Sequence, residues 1–242
     1  MAYRYALTRE SHADLSGGVL HSAPGFPTFP VRLASEMFQR ALEFTPGSSA
    51  QVWDPCCGSG HLLTALALLH RLDITGVLGT DLDPEAVTLA RKNLDLLSEH
   101  GMDARADELR ARAERLGKPA YLDAAAAARR LARGLAQRGG ALPCGVAQAD
   151  VFNPDQLRHA LGGQRPNLVI TDVPYGEQTT WGGPNGAAGI DGMLRALEEV
   201  LDDGTVIAVA SRGRKPRLAE AHRRLASFRI GTRVVVFCRV AH

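Results

Sequence analysis

The sequence predicts an α/β protein built on a doubly wound parallel sheet with helices on both faces. Three observations carry this expectation. Short apolar runs alternate with longer stretches of helical period along most of the chain. Several of the apolar runs end at an acidic residue or pass directly into a loop, as strands do where they open on a ligand crevice. The chain has 242 residues, 45% hydrophobic and 22% charged, which is ordinary for a globular protein with a sizeable core and excludes wholesale disorder.

The first 29 residues, with Gly17, Gly18, Pro24 and Pro27, read as an irregular N-terminal segment or lid, and the main domain is expected over 30–242. Helical period places a helix over 30–44, a first strand over 50–53 and a helix over 60–71. A strand over 74–80 leads to a helix over 84–99, for which Asp83 is a good N-cap and Pro84 suits the first helical position. Residues 101–138 are alanine-rich and of high helix propensity, and they stand where one short connection would suffice, so they read as a helical insertion. Strands over 145–149, 168–171 and 205–210 follow, with helices over 191–201 and 216–226 and a last strand within 232–240. No heptad repeat or internal duplication is present.

The longest apolar run, 62–69, falls far short of the ~20 residues of a membrane-spanning helix, and the N-terminus lacks the continuous apolar stretch of a secretory signal, so a cytoplasmic protein is expected. Cys56 and Cys57 are adjacent while Cys144 and Cys238 stand alone, which gives neither a disulfide framework nor a Cys-x-x-Cys pair, and no metal is expected. Net charge is only +2 but unevenly spread. Residues 41–100 carry three basic groups against eight acids, and 212–239 carry nine against Glu220 alone. Another nine basic residues against five acids lie between 101 and 140, where a solvated helix face is an equal explanation. The C-terminal segment points to a polyanionic partner, because Lys and Arg facing phosphates release condensed counterions.

Four loops carry the chemistry. In Asp54-Pro55-Cys56-Cys57-Gly58-Ser59-Gly60 a strand enters a turn with two glycines and then a helix, so backbone can approach a ligand closely and the helix N-terminus faces it. A dinucleotide fingerprint requires Gly or Ala where Leu63 stands, and Asp54 would repel a pyrophosphate while suiting an ammonium group. A ligand with a cationic amino-acid end fits better, and S-adenosylmethionine has one. Asp81, 21 residues after Gly60 and followed by Leu82, is placed to accept from both ribose hydroxyls. Asp150 offers a carboxylate for the adenine amino group and Val151 an apolar cover, with a plain surface turn as the alternative. The cofactor-binding candidates are therefore Asp54, Pro55, Gly58, Gly60, Asp81, Leu82, Asp150 and Val151.

The fourth loop, Asp172-Val173-Pro174-Tyr175-Gly176, resembles the Asp/Asn-x-Pro-Tyr motif of methyltransferases that modify nucleobase nitrogens. In such a loop a side-chain oxygen and the next carbonyl accept hydrogen bonds from the target nitrogen, proline stiffens the turn and the aromatic ring stacks on the base, roles that fall to Asp172, Val173, Pro174 and Tyr175. Holding the nitrogen so aligns its lone pair with the methyl carbon. With the three loops before it, this motif resembles the class I S-adenosylmethionine-dependent methyltransferases over roughly 30–240. The longer run from Asp172 to Trp181 resembles the avilamycin-resistance ribosomal RNA methyltransferases of antibiotic-producing actinomycetes. That resemblance implies a Rossmann-like, mostly parallel sheet with an antiparallel last strand, and monomethylation of one guanine in 23S ribosomal RNA that lowers the binding of an orthosomycin antibiotic. It favours guanine N1 over N2 and, as partner, 23S RNA or the large ribosomal subunit; a monomer is expected. The class commonly has a first proline where Val173 stands, and a full terminal hairpin where this chain is expected to hold a short sixth strand and a longer final one.

Outside the loops, Trp181 is expected to stack on an RNA base or to serve as a buried lid, and Arg212, Arg214 and Lys215 to contact phosphate. His61 is read as a capping or solvent-exposed residue, and Cys56 and Cys57 as packing, since no base is placed to activate a thiol. Three other readings compete: a non-catalytic RNA-binding protein, an NAD-dependent oxidoreductase, and an adenine-N6 or protein-glutamine methyltransferase sharing the fourth loop. The intact Asp172 loop counts against the first and the missing glycine against the second.

Overall fold

The computed structural model describes residues 3–8, 12–173, 181–183, 185–213 and 223–241. At its centre β1 (Ala50–Asp54) pairs in parallel with β2 (Ile74–Asp81) on one side and β4 (Leu168–Asp172) on the other. β3 (Cys144–Gln148) extends the sheet beyond β2, and β5 (Val206–Arg212) extends it beyond β4, both in parallel. β7 (Arg233–Arg239) runs antiparallel to β5, and β6 (Arg223–Ile230) antiparallel to β7. Among the described residues the sheet has seven strands in the order β3-β2-β1-β4-β5-β7-β6. From β1 the strands are added outward through β2 and β3, and from β4 in the opposite direction through β5, so the order reverses between β1 and β4, which is where a doubly wound sheet opens a crevice at its carboxyl ends.

The central strands are buried on both faces, which is why they read as near-continuous apolar runs. Side chains alternate between the faces. Leu168 and Ile170 enter a core with α2 (Val31–Leu42) and α3 (His61–Leu69), whereas Val169 joins an opposite core with α7 (Pro154–Leu161) and α8 (Gly189–Glu198). α4 (Pro84–Leu94) is capped as its sequence predicts: Asp83 Oδ1 accepts from Glu85 N at 2.8 Å, with Pro84 at the first helical position. α5 (Glu99–Leu116) and α6 (Ala120–Gln137) form a hairpin whose alanines and leucines face one another, and Arg129 ties it with bonds of 2.7 and 2.6 Å to Asp103 and Asp107.

Two elements depart from the sequence reading. α7 was not expected, although Asn153 caps it by accepting from Asp155 N and Gln156 N and Pro154 opens it. It is only eight residues long and buries just Leu157 and Leu161, too short a period to register. At the C-terminus, the expected helix over 216–226 gives way from Arg223 onward to β6, and two strands of eight and seven residues replace the short-and-long pair. Residues 214–222 lie outside the described set. β7 is apolar and has β5 on one edge, so pairing with β6 satisfies its other edge; Phe228 packs on Phe237 with ring centres 5.9 Å apart.

The N-terminal segment contains the four-residue α1 (Ala13–Ser16) and is stapled to the domain by buried polar groups. Glu36, on α2, accepts from the backbone N–H of Arg4, Tyr5 and Ala6 at 2.7, 2.8 and 2.9 Å and pairs with Arg40. Burial pushes its carboxyl up, but these donors outweigh that and leave it below the ordinary value. Asn93 accepts from His21 N and donates to the carbonyls of His21 and Ser59, and Arg105 donates to the Val19 and Gly18 carbonyls. These anchors fix the stretch that follows, through Phe29, over the carboxyl end of the sheet.

Candidate active site

The carboxyl ends of β1, β2 and β4 and the loop after β3 converge on one cleft of about 290 Å³. It gathers every described cofactor candidate named above except Gly60, which lies just behind its wall, and adds Asp172, Val173 and Trp181. Pro174 and Tyr175, and likewise Arg214 and Lys215, lie outside the described residues.

The first wall is the glycine loop. Gly58 and Gly60 have φ of +53° and +70°, and at Gly60 a Cβ would meet Ala90 of α4 at 3.0 Å, so glycine is required both by conformation and by close helix packing. Asp54 is buried at 2% exposure and accepts from Cys56 N at 3.1 Å. Burial, reinforced by the fields of Asp81 and Asp172, pushes its carboxyl up to about 7. A carboxylate so placed suits a cation. Asp81 sits opposite, with Oδ2 accepting from Gly58 N at 2.7 Å and Oδ1 from Asp83 N at 3.0 Å; burial raises its pKa against these bonds. Cys56 and Cys57 line the cleft floor, where burial drives both thiols well above their ordinary pKa and so away from thiolate chemistry.

His61 is the correction here. It is the first residue of α3 behind the cap residue Gly60, makes no capping bond and is only 8% exposed. The helix start turns it inward rather than to solvent, and burial lowers its pKa to about 4, so its ring is neutral at pH 7.

At the far end, Asp150 is buried and its Oδ1 accepts from Phe152 N at 2.9 Å, an Asx turn that fixes the carboxylate beside Val151. Trp181 is half-buried, with its ring centre 5.3 Å from that of Phe152, which places it over this end of the cleft.

The β4 end carries Asp172. Its Oδ2 accepts from Arg233 Nη2 at 3.4 Å, Oδ1 is buried without a hydrogen-bond partner, and burial raises the carboxyl to about 6 against the pull of Arg233 and Arg212. Val173 N donates to Ala210 O at 3.0 Å, extending the pairing of β4 with β5. The proline common at this position in the class has no N–H for that bond, so valine adds a tie between the target loop and the sheet.

Sequence reasoning read 1–29 as an irregular segment or lid without naming its cleft residues, and it did not single out Arg233. Phe26, Pro27 and Phe29 form a wall contributed by the N-terminal segment, for which the cluster of prolines and aromatics before α2 was the available signal. Arg233 reaches Asp172 from β7, and nothing local to either residue announces that pairing.

Comparison with known proteins places this arrangement. The family model for the rRNA methyltransferase AviRa matches residues 1–233. The chain is 52% identical over 242 residues to the 23S rRNA (guanine(2535)-N(1))-methyltransferase of Streptomyces viridochromogenes, an alignment covering 99% of this chain and 96% of that one. It superposes on the structure of rRNA methyltransferase AviRa from the same organism, solved at 1.5 Å, with a TM-score of 0.91 and 51% identity, covering 99% of this chain and 97% of that one. TrmN from Thermus thermophilus, at 15% identity and a TM-score of 0.52 over 96% of this chain and 53% of its own, shares the fold alone. A cleft ringed by strand-end carboxylates on this sheet order, matched along nearly the whole chain, means that the protein belongs to the AviRa family of rRNA methyltransferases.

Proposed function

We propose that the protein transfers a methyl group from S-adenosylmethionine to N1 of one guanine in 23S ribosomal RNA, and so lowers the binding of an orthosomycin antibiotic such as avilamycin. The observation that carries the reading is the convergence of Asp54, Asp81, Asp150 and Asp172 in a single cleft, each at a strand end or in the loop that follows it. N1 is favoured by the activity named for the 52% identical relative.

The lining fits the cofactor. Asp54 is a buried carboxylate suited to an ammonium group, Asp81 has the acceptor geometry for ribose hydroxyls, and Asp150 with Val151 and Phe152 offers an acceptor beside an apolar slot for adenine. When bound, the cofactor supplies a sulfonium methyl and recovers the C–S electron pair on transfer. The Asp172 carboxylate, at the other end of the cleft, holds the N1–H and takes its proton, which frees the nitrogen electron pair to form the new N–C bond. The Val173 carbonyl and Tyr175 complete the base grip. Phe26 and Phe29 exclude water from the reacting end. Arg212, Arg214 and Lys215 supply phosphate contacts, and Trp181, packed on Phe152, covers the adenine end or meets an RNA base.

The test is transfer of labelled methyl from S-adenosylmethionine to purified 23S and 16S ribosomal RNA, followed by mass mapping of the product. Label as 1-methylguanine on a single 23S residue is the expected result; label on N2, on adenine or on protein would replace the reading with another.

The Asp54 carboxyl makes a second expectation. Only its ionised form attracts a cation, so acidification through about 7 removes the attraction, and cofactor affinity is expected to fall, approaching tenfold per pH unit below that value. Calorimetry between pH 8 and 5.5 reads this directly, and Asp54→Asn should bind more weakly with a flattened pH dependence.

A further inference from the structure

The register of the parallel pairing of β4 with β5 and the antiparallel pairing of β5 with β7 brings two guanidinium groups toward one carboxylate. Asp172 lies opposite Ala210 of β5, and Ala210 lies opposite Val235 of β7. Two residues on, where side chains return to the same face, Arg212 stands opposite Arg233. Both arginines therefore project at the carboxyl edge of the sheet on the face that carries Asp172. Arg233 reaches it, with Nη2 3.4 Å from Asp172 Oδ2, and the two side chains are only 11% and 19% exposed. The Arg233 guanidinium also lies 5.0 Å from the ring centre of Phe29, the aromatic wall that the N-terminal segment lays along the cleft. Arg233 is thus held between the target carboxylate and the lid side of the cofactor site.

We propose that Arg233 is a positioning residue for methyl transfer: its guanidinium, seated on Phe29, holds the Asp172 carboxylate ionised and turned so that Oδ1 faces the target nitrogen. The inference rests on the assignment of Asp172 to the target base. The geometry divides the carboxylate in two: Oδ2 is engaged by Arg233, and Oδ1, buried and without a hydrogen-bond partner, is left to accept from the target nitrogen. A lone carboxylate in this setting would be drawn toward its neutral form, since burial already raises it to about 6 and Asp54 faces it from β1. Arg212 from β5 and Arg233 from β7 are the charges that oppose this, and the other titratable groups lining the same cleft are Asp81, Asp83, Asp150, His61, Cys56 and Cys57. A surface arginine recruited only to bind phosphate needs neither the burial nor the aromatic seat.

The experiment compares wild type, Arg233→Met and Arg233→Lys in steady-state methyl transfer to 23S RNA between pH 5 and 8.5, with S-adenosylhomocysteine binding followed by calorimetry. For Arg233→Met we expect kcat to fall roughly 10- to 100-fold with KM for RNA changed less than threefold. The acid limb of the kcat profile should move up by about one pH unit, because losing the positive charge makes Asp172 easier to protonate. Arg233→Lys should recover part of kcat and most of the shift, because the charge returns without the planar fork. A rise in KM with an unmoved acid limb would overturn the proposal in favour of a phosphate contact. Should Arg233→Met fail to fold, the lysine variant decides alone: reduced kcat with unchanged KM supports positioning, and the reverse sinks it. An inactive wild type that still binds S-adenosylhomocysteine would instead count against the RNA-base reading itself.

Discussion

Asp172→Ala is expected to abolish methyl transfer, lowering kcat by about 1,000-fold or more, while cofactor binding stays within a few-fold of wild type. The size follows from what Asp172 does and where it stands. It is the carboxylate at the end of β4 whose Oδ1 is left unengaged, whereas Asp54, the acid facing it from β1, accepts from Cys56 N. Cofactor affinity is spared because Asp54, Asp81 and Asp150 are held by bonds of their own, to Cys56, Gly58 and Phe152. Asp172→Asn refines the result. Asparagine keeps an acceptor oxygen but takes no proton, so a loss as deep as that of alanine indicates proton removal from N1, and substantial retained activity would indicate a grip on the N2 amino group. In the wild type, kcat should fall as pH drops through about 6, since the carboxyl raised to that value by burial becomes protonated below it. Near-normal turnover of Asp172→Ala would remove this loop from the reaction.

The second large effect belongs to Asp81. Asp81→Ala should weaken S-adenosylmethionine and S-adenosylhomocysteine binding by roughly 10- to 100-fold, the scale of losing hydrogen bonds to a charged acceptor, with kcat at saturating cofactor nearly preserved. The same change removes the acceptor that Gly58 N uses at 2.7 Å and so loosens the glycine loop, which adds to the loss. Calorimetry against S-adenosylhomocysteine checks it, and an unchanged dissociation constant would mean the ribose is held elsewhere. Taken together, the two substitutions should split cleanly: Asp172 acts on kcat and Asp81 on cofactor affinity, because Asp172 ends β4 and Asp81 ends β2, on either side of β1, in a cleft that joins two ligands.

Much of this architecture is legible in the linear sequence because its causes are local. Central strands buried on both faces must be apolar throughout, and the glycine at 60 is demanded by a positive φ and by Ala90 packed 3.0 Å from where its Cβ would stand. Asp83 and Pro84 cap α4 through contacts within three residues. The four strand-end acids follow the same logic, since a loop after a parallel strand is where such a sheet opens. What the tertiary structure alone decided depends on pairing between distant segments. Residues 223–226 have helix propensity, yet β6 forms there because the free edge of β7 must be paired. His61 turns inward because the helix start is buried beneath the cleft, and the N-terminal segment becomes a wall of the site because Glu36, Asn93 and Arg105 satisfy its backbone from afar. The contact of Arg233 with Asp172 spans 61 residues and exists only because sheet register sets β7 beside β5. Local chemistry thus fixed which residues act, and long-range register, which no periodicity encodes, decided how they are held.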